Sequence, residues 1–222
     1  MGSSFWDKAY QSEGALWGDR PGILTQAARG FVLAENLPTA GKQIVDIGCG
    51  YGRDLGSLAA EWGCRALGVD SSPKAISMAQ ELLTRTGVTD VTFRQASFQS
   101  LQGETFDLVF AANLYQILPR AERAEFCAIL PAILPPGGYL FLGTHSVHDP
   151  EHSGKGRMVD GEENSFVDKT LVHLSTEAEL RTNFRFLNIH QLYEHEYLEP
   201  RAGGEIHHHI SWILIGSKPQ IT

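Results

Sequence analysis

Apolar positions along this chain follow two periods. Between residues 43 and 144, short apolar runs alternate with stretches whose apolar positions recur every three or four residues. The runs at Gln43–Ile47, Arg65–Asp70, Val91–Gln95, 106–112 and 139–144 read as strands. A helix is predicted over 52–62, closed by Gly63; the next opens at Ser72 as N-cap with Pro73 in its first turn, and stops at Gly87. Another covers 120–134 and ends at Pro135-Pro136-Gly137-Gly138. Upstream, Leu24, Ala27, Ala28, Phe31 and Ala34 share one face of a helix over 23–37, which Pro38 terminates. Strand and helix in alternation predict an α/β fold, with a parallel sheet covered by helices on both faces.

The last third changes character. Residues 145–169 lack sustained periodicity and are rich in Gly, His and acids, which predicts a long loop with a function such as a lid. Thr176 and Glu179 form a capping box for a short helix. Two apolar-rich runs, 186–197 and 205–216, flank the turn Pro200-Arg201-Ala202-Gly203-Gly204 and are expected to pair antiparallel. No internal repeat or linker interrupts the pattern. One domain over 1–222 is expected: an N-terminal cap (1–40), a ligand-binding core (41–145), and an insert followed by the strand pair (146–222).

Composition narrows the function. The 222 residues carry a formal net charge of -8 and no basic cluster, which argues against a nucleic-acid substrate and favours a small one. Cys49, Cys64 and Cys127 are odd in number and lack metal-ligand spacing, as expected of reduced thiols in a cytoplasmic protein. No run approaches the roughly 20 apolar residues of a membrane span. The first residues lack a signal-peptide pattern, and Trp6 stands where a myristoylation motif needs Ser or Thr. A monomer or homodimer is expected.

The strongest chemical signal is Val45-Asp46-Ile47-Gly48-Cys49-Gly50-Tyr51-Gly52, between a strand and a helix. Glycines at every second position allow a sharp turn and close approach of backbone to ligand, and the helix start that follows favours an anionic group. Asp70, ending the next strand, is placed to accept both hydroxyls of a ribose, with Ser71 beside it. Asp46 can hold an ammonium group, with Cys49 inside the turn. A ligand with an amino acid at one end and a ribose at the other meets these demands, and S-adenosylmethionine is one. The spacing departs from the dinucleotide G-x-G-x-x-G.

D-x-G-x-G-x-G with its downstream acid resembles the first motifs of class I S-adenosylmethionine-dependent methyltransferases. Pro135-Pro136-Gly137-Gly138 and Phe106-Asp107-Leu108-Val109-Phe110 resemble that family's turn before strand five and its strand four. The resemblance covers about 44–144. It implies a doubly wound, Rossmann-like, mostly parallel seven-stranded sheet with an antiparallel last strand. It also implies Asn113 and Leu114 at the methionine and sulfonium region, and Ser97 and Phe98 by the adenine. Ser97 stands where the family often has Asp, and accepts a hydrogen bond less strongly. Phe5-Trp6-Asp7-Lys8-Ala9-Tyr10, Trp17-Gly18-Asp19-Arg20-Pro21, Glu163-Asn164-Ser165-Phe166 and Leu171-Val172-His173-Leu174-Ser175 are similar to segments of the tellurite-resistance and thiopurine methyltransferase group. That likeness implies a small, soft acceptor such as a thiol or chalcogen oxyanion.

Methyl transfer from a sulfonium needs alignment, exclusion of water and, for a protonated acceptor, a base. Nine histidines supply candidates. His145 follows strand five at the carboxyl-end rim where ligands bind, and the final antiparallel strand begins there. Period-two alternation sets Glu205, His207 and His209 on one face. These residues with His145 read as solvated strand-end groups, as an acceptor pocket with a histidine base, or as a metal site. H-x-H on a strand is weak evidence for a metal, and none is assigned. Tyr115 follows strand four and is a further acceptor-side candidate; a half-buried packing role is the other reading. Trp17 and Tyr10 can close over a sulfonium, and Arg20 can bind the cofactor carboxylate or pair with Asp19 or Asp7. His148, His152, His173, His190 and His195 read as surface or packing residues. The rival functions are a non-catalytic cofactor-binding protein, a transferase acting on a protein, and an aminopropyl transferase; Ser97 and Asn113 argue against the last.

Overall fold

The computed structural model describes residues 2–18, 20–200 and 204–220. Helices α1 (Gly2–Glu13) and α2 (Ile23–Ala34) precede the alternating core, β1 (Gln43–Ile47), α3 (Arg53–Trp62), β2 (Arg65–Asp70), α4 (Pro73–Thr86), β3 (Val91–Gln95), β4 (Leu108–Ala112), α5 (Arg120–Ile133) and β5 (Tyr139–His145). There follow β6 (Arg157–Met158), β7 (Ser165–Val167), β8 (Leu171–His173), α6 (Glu177–Asn183), β9 (Asn188–Pro200) and β10 (Ile206–Ser217). The main sheet has seven strands in the order β3-β2-β1-β4-β5-β10-β9. β1 to β5 are parallel, and β10 runs antiparallel to both β5 and β9.

Burial on both faces explains the continuous apolar runs. Val45, Val109, Leu140, Leu142 and Leu214 pack into one cluster with Phe126, Leu130 and Ile133 of α5. Their neighbours Ile44, Phe110, Phe141, Ile213 and Ile215 pack into the other with Leu24 and Phe31 of α2 and Leu55 and Leu58 of α3. Successive residues of a strand thus serve opposite helix layers. The helix signals act as the sequence expects. Ser72 Oγ accepts from the Ala75 N–H at 3.1 Å, Gly87 is left-handed at φ 66°, and Thr176 Oγ1 accepts from the Glu179 N–H at 3.1 Å.

The structure departs from the sequence reading in several places: α2 ends at Ala34 rather than 37, with Asn36 left-handed at φ 49°, and β9 runs Asn188–Pro200 rather than 186–197. β4 begins at Leu108 because the Phe106 N–H is spent on Ile133 O at 2.8 Å, where α5 ends. The segment expected to be a structureless loop builds β6 and β7, which join β8 in an antiparallel three-stranded sheet. The turn residues 201–203 and Asp19 lie outside the described residues. Among the described residues no helix is long and apolar enough to cross a membrane.

Candidate active site

A cavity of about 870 Å³ opens at the carboxyl ends of the parallel strands. One end is the turn between β1 and α3. Gly48 and Gly50 have φ of 77° and 53°, a region that disfavours side chains. A Cβ on Gly48 would stand 3.1 Å from Leu114, and one on Gly50 would stand 2.8 Å from the Tyr10 hydroxyl. Both glycines line the cavity with Cys49. α3 begins after a left-handed Gly52 with no side-chain cap, so its first N–H groups remain for a ligand carboxylate.

Two carboxylates face this end. Asp70 Oδ2 accepts from the Gly50 N–H at 2.9 Å and Oδ1 from the Ser72 N–H at 2.8 Å. Burial raises its pKa, and these backbone donors act against that rise. Asp46 is 3% exposed, and its Oδ1 has no hydrogen-bond partner among the described residues. Burial first, then the nearby Asp54 and Asp70, push its pKa well above the ordinary carboxylate value. A buried, unpartnered carboxylate oxygen on a cavity wall suits a cationic ligand group. An α-amino acid tail and a ribose therefore both find partners here, and S-adenosylmethionine fits the residues present.

Arg20 is exposed and outside the lining, and the cation beside the glycine turn is Arg53. Its guanidinium donates to Asp54 Oδ2 at 2.9 Å and to Trp17 O at 2.9 Å. Asp7, which the sequence offered as a partner for Arg20, instead accepts from Ser72 Oγ at 2.8 Å and the Lys74 N–H at 2.9 Å. This pins α1 across the N-terminus of α4. Phe5, Trp6, Tyr10 and Trp17 thereby line the cavity, and Trp17 stacks on Tyr51 with ring centroids 6.3 Å apart. Ser71, Ser97 and Phe98 line the cavity, Phe98 also meeting Phe126 edge-on at 5.6 Å. Asn113 and Leu114 line it beyond β4, joined by Gln116, whose Nε2 donates to Asn113 Oδ1 at 3.1 Å.

The far end of the cavity is lined by His145, His152 and His209, with Tyr197 and Glu199 of β9. Behind them, fully buried Asp149 gathers the ring nitrogens. Its Oδ1 lies 2.8 Å from His152 Nδ1, and its Oδ2 lies 3.0 Å from His209 Nδ1 and 3.7 Å from His145 Nδ1. Burial favours the neutral acid, but hydrogen bonds from His152 and His209 and the charge near His145 outweigh it. They hold Asp149 well below the usual carboxylate range. His145 and His209 are therefore brought together as the strand register suggested, whereas His207 is half-exposed, outside the lining, with Nε2 3.6 Å from Glu205 Oε2.

Tyr115 is not brought to the cavity. It is fully buried, its hydroxyl donates to Glu179 Oε1 at 2.9 Å, and Asn183 Nδ2 donates to it at 2.8 Å. Burial, Cys127 and Glu179 push its pKa well above the tyrosine range. His173, expected at the surface or in packing, is buried between Ser165 Oγ at 2.8 Å and Glu179 Oε2 at 2.9 Å. His152 departs from its surface reading by joining the cluster. Asp149, His152, Glu199 and Gln116 were missed as site residues; the spacing His145-x3-Asp149-x2-His152 was the available signal for the first two.

Residues 44–138 match the family model described as a methyltransferase domain. A ubiquinone biosynthesis O-methyltransferase of Paracidovorax citrulli (strain AAC00-1) is 31% identical over 111 residues, covering 48% of this chain and 45% of that protein. The chain thus spans slightly less than half the length of such curated relatives. A structure from work on the conversion of a disulfide bond into a thioacetal group during echinomycin biosynthesis superposes with a TM-score of 0.75 at 19% identity, covering 100% of this chain and 93% of that one. The Burkholderia thailandensis 1,6-didemethyltoxoflavin-N1-methyltransferase, solved with 1,6-didemethyltoxoflavin and S-adenosylhomocysteine, gives 0.68 at 20% identity, covering 98% and 87%. These likenesses establish the shared fold. The family match falls on the strands that carry the glycine turn and Asp70, so the stretch that resembles a methyltransferase domain is the one that forms the cofactor end of the cavity.

Proposed function

We propose that the chain transfers a methyl group from S-adenosylmethionine to a small-molecule nucleophile, a thiol, chalcogen or hydroxyl, held at the histidine end of the cavity. The observation that carries this reading is the continuity of one cavity from Asp46 and Asp70 to His145 and His209. The bound cofactor supplies a methyl group already activated on sulfonium. Asp70 holds the ribose, Asp46 the ammonium group, and the start of α3 the carboxylate. Trp17, Tyr10 and the β6–β8 sheet exclude water, Val167 and Val172 facing the cavity. Asp149 keeps a proton on His209 Nδ1, so Nε2, which lies 3.7 Å from Glu199 Oε2, takes the acceptor's proton as the acceptor's lone pair attacks carbon.

The concave cavity of about 870 Å³, walled on one side by residues of the β6–β8 sheet, favours a small acceptor over a protein chain. The test is S-adenosylhomocysteine formation over a panel of thiols, chalcogen oxyanions and phenols. Acceptor-dependent turnover, lost in His209→Ala without loss of cofactor affinity, is expected. Cofactor binding with turnover on peptides alone would establish a protein acceptor. Binding with no turnover on either panel would favour a non-catalytic role.

A further inference from the structure

Methyl transfer needs one base, yet this cavity ends in three imidazoles around one carboxylate. His145 ends β5, Asp149 and His152 follow in the turn, and His209 comes from β10. Each offers one ligand atom, and the four atoms lie within 4.8 Å of one another. Asp149 is fully buried, His209 2% exposed and His145 9% exposed, so solvated strand-end histidines do not describe them.

The surroundings orient the set. Asp149 Oδ1 accepts from the Glu151 and His152 N–H groups at 3.0 Å each, and Oδ2 from the Ile210 N–H at 2.9 Å. Ser211 Oγ lies 3.1 Å from His145 Nδ1. Hydrogen-bonded carboxylates and imidazoles of this kind are what metal ligands require from their neighbours. The three rings lie 4.8 to 5.5 Å apart between centroids, close enough to turn their nitrogens toward one ion.

We propose that His145, Asp149, His152 and His209 bind one divalent transition-metal ion, of the zinc class, at the acceptor end of the cavity. Three nitrogens and one oxygen suit zinc or a neighbouring first-row ion better than calcium or magnesium. The ligand atoms of a tetrahedral site stand roughly 3.3 Å apart, so the side chains close in on binding. His145, His152 and His209 line the cavity and Asp149 stands behind them, so a position left open on the ion faces the acceptor. A thiol or hydroxyl bound there loses its proton to solvent more readily, and with the ion bound His209 serves as a ligand in place of its role as base in the metal-free site. That role rests on the transferase reading; the site itself does not.

The experiment titrates the chelator-treated full chain with Co²⁺ and then Zn²⁺, following visible d–d absorption and stoichiometry. S-adenosylhomocysteine affinity is measured on the same samples. One equivalent of Co²⁺ with strong visible bands, displaced by Zn²⁺, is expected. His152→Ala and Asp149→Asn should weaken binding by about 100-fold or more while S-adenosylhomocysteine still binds. Exposed His148, paired with Glu194, is outside the set, and His148→Ala should match wild type. Absence of stoichiometric Co²⁺ binding in wild type, or equal affinity in folded His152→Ala, overturns the site. Metal binding without S-adenosylhomocysteine binding overturns the transferase reading and keeps the site.

Discussion

The Gly50 N–H donates to Asp70 Oδ2 over 2.9 Å, so the turn after β1 and the end of β2 form one hydrogen-bonded unit. Each carboxylate oxygen of Asp70 carries a further lone pair, and the group lines the cavity. Two ribose hydroxyls can therefore bind a carboxylate whose orientation is already fixed. Asp70→Ala should weaken S-adenosylhomocysteine binding by about 2 kcal/mol, about 30-fold in Kd. Calorimetric titration checks it, and an unchanged Kd would remove Asp70 from ribose binding.

Asp46 is the carboxyl group whose protonation the ligand should change. Its pKa is raised well above 3.8 by burial and by Asp54 and Asp70. An ammonium group at Oδ1 favours the anion, so binding releases a proton at pH below the raised value of the free protein. S-adenosylhomocysteine affinity should fall as pH drops below that value. The binding enthalpy should vary with buffer ionisation heat in the sense of proton release. The sign for the free protein is opposite to that of a paired carboxylate. A raised folded pKa costs stability above 3.8, so Asp46→Asn should raise Tm at neutral pH. Buffer-independent enthalpies in the wild type would show that Asp46 does not meet the ammonium.

The cofactor end was legible in the sequence because its requirements are local. Gly48, Gly50 and Asp70 report backbone geometry and strand ends within about two dozen residues, and Ser72 and Gly87 mark their helix directly. Of the two readings open for Arg20, the structure shows it exposed and outside the cavity lining, and its neighbours in sequence gave no indication of which way it faced. Arg53 was set by its place at the start of α3. The acceptor end depends on contacts between distant segments. His209 Nδ1 and Asp149 Oδ2 meet at 3.0 Å across 60 residues, and no period in 145–169 announced that turn. Tyr115 reads the same in sequence whether its hydroxyl faces a ligand or Glu179.

Tyr115→Phe separates those two roles. The Tyr115 hydroxyl sits with Glu179, His173 and Asn183 in a buried network between the β6–β8 sheet and α6. Its removal should lower stability by about 1 kcal/mol and leave cofactor affinity and turnover unchanged. The shift in Tm and steady-state kinetics check this; a large loss in kcat at wild-type stability would return Tyr115 to the chemistry. Glu179 has a lowered pKa through His173 and Tyr115, despite burial. Its contribution is fully present above 4.5 and is lost as pH falls through the lowered value, so Glu179→Gln should flatten acid unfolding in that range.

Asp7 offers a way to loosen the aromatic cap without touching the core. Its Oδ1 takes both the Ser72 hydroxyl and the Lys74 N–H, so it holds α1 on the first turn of α4 while Trp6 and Tyr10 line the cavity. The α3 and α5 layers do not depend on that contact. Asp7→Ala should therefore leave Tm within a few degrees of wild type and speed S-adenosylhomocysteine dissociation several-fold, with limited proteolysis within α1 accelerated and then suppressed by saturating ligand. Stopped-flow release and a timed digestion read the two effects. A fall in Tm with unchanged release would make α1 a structural brace. Faster release at constant Tm would make it the closing element that Trp17 stacking on Tyr51 completes.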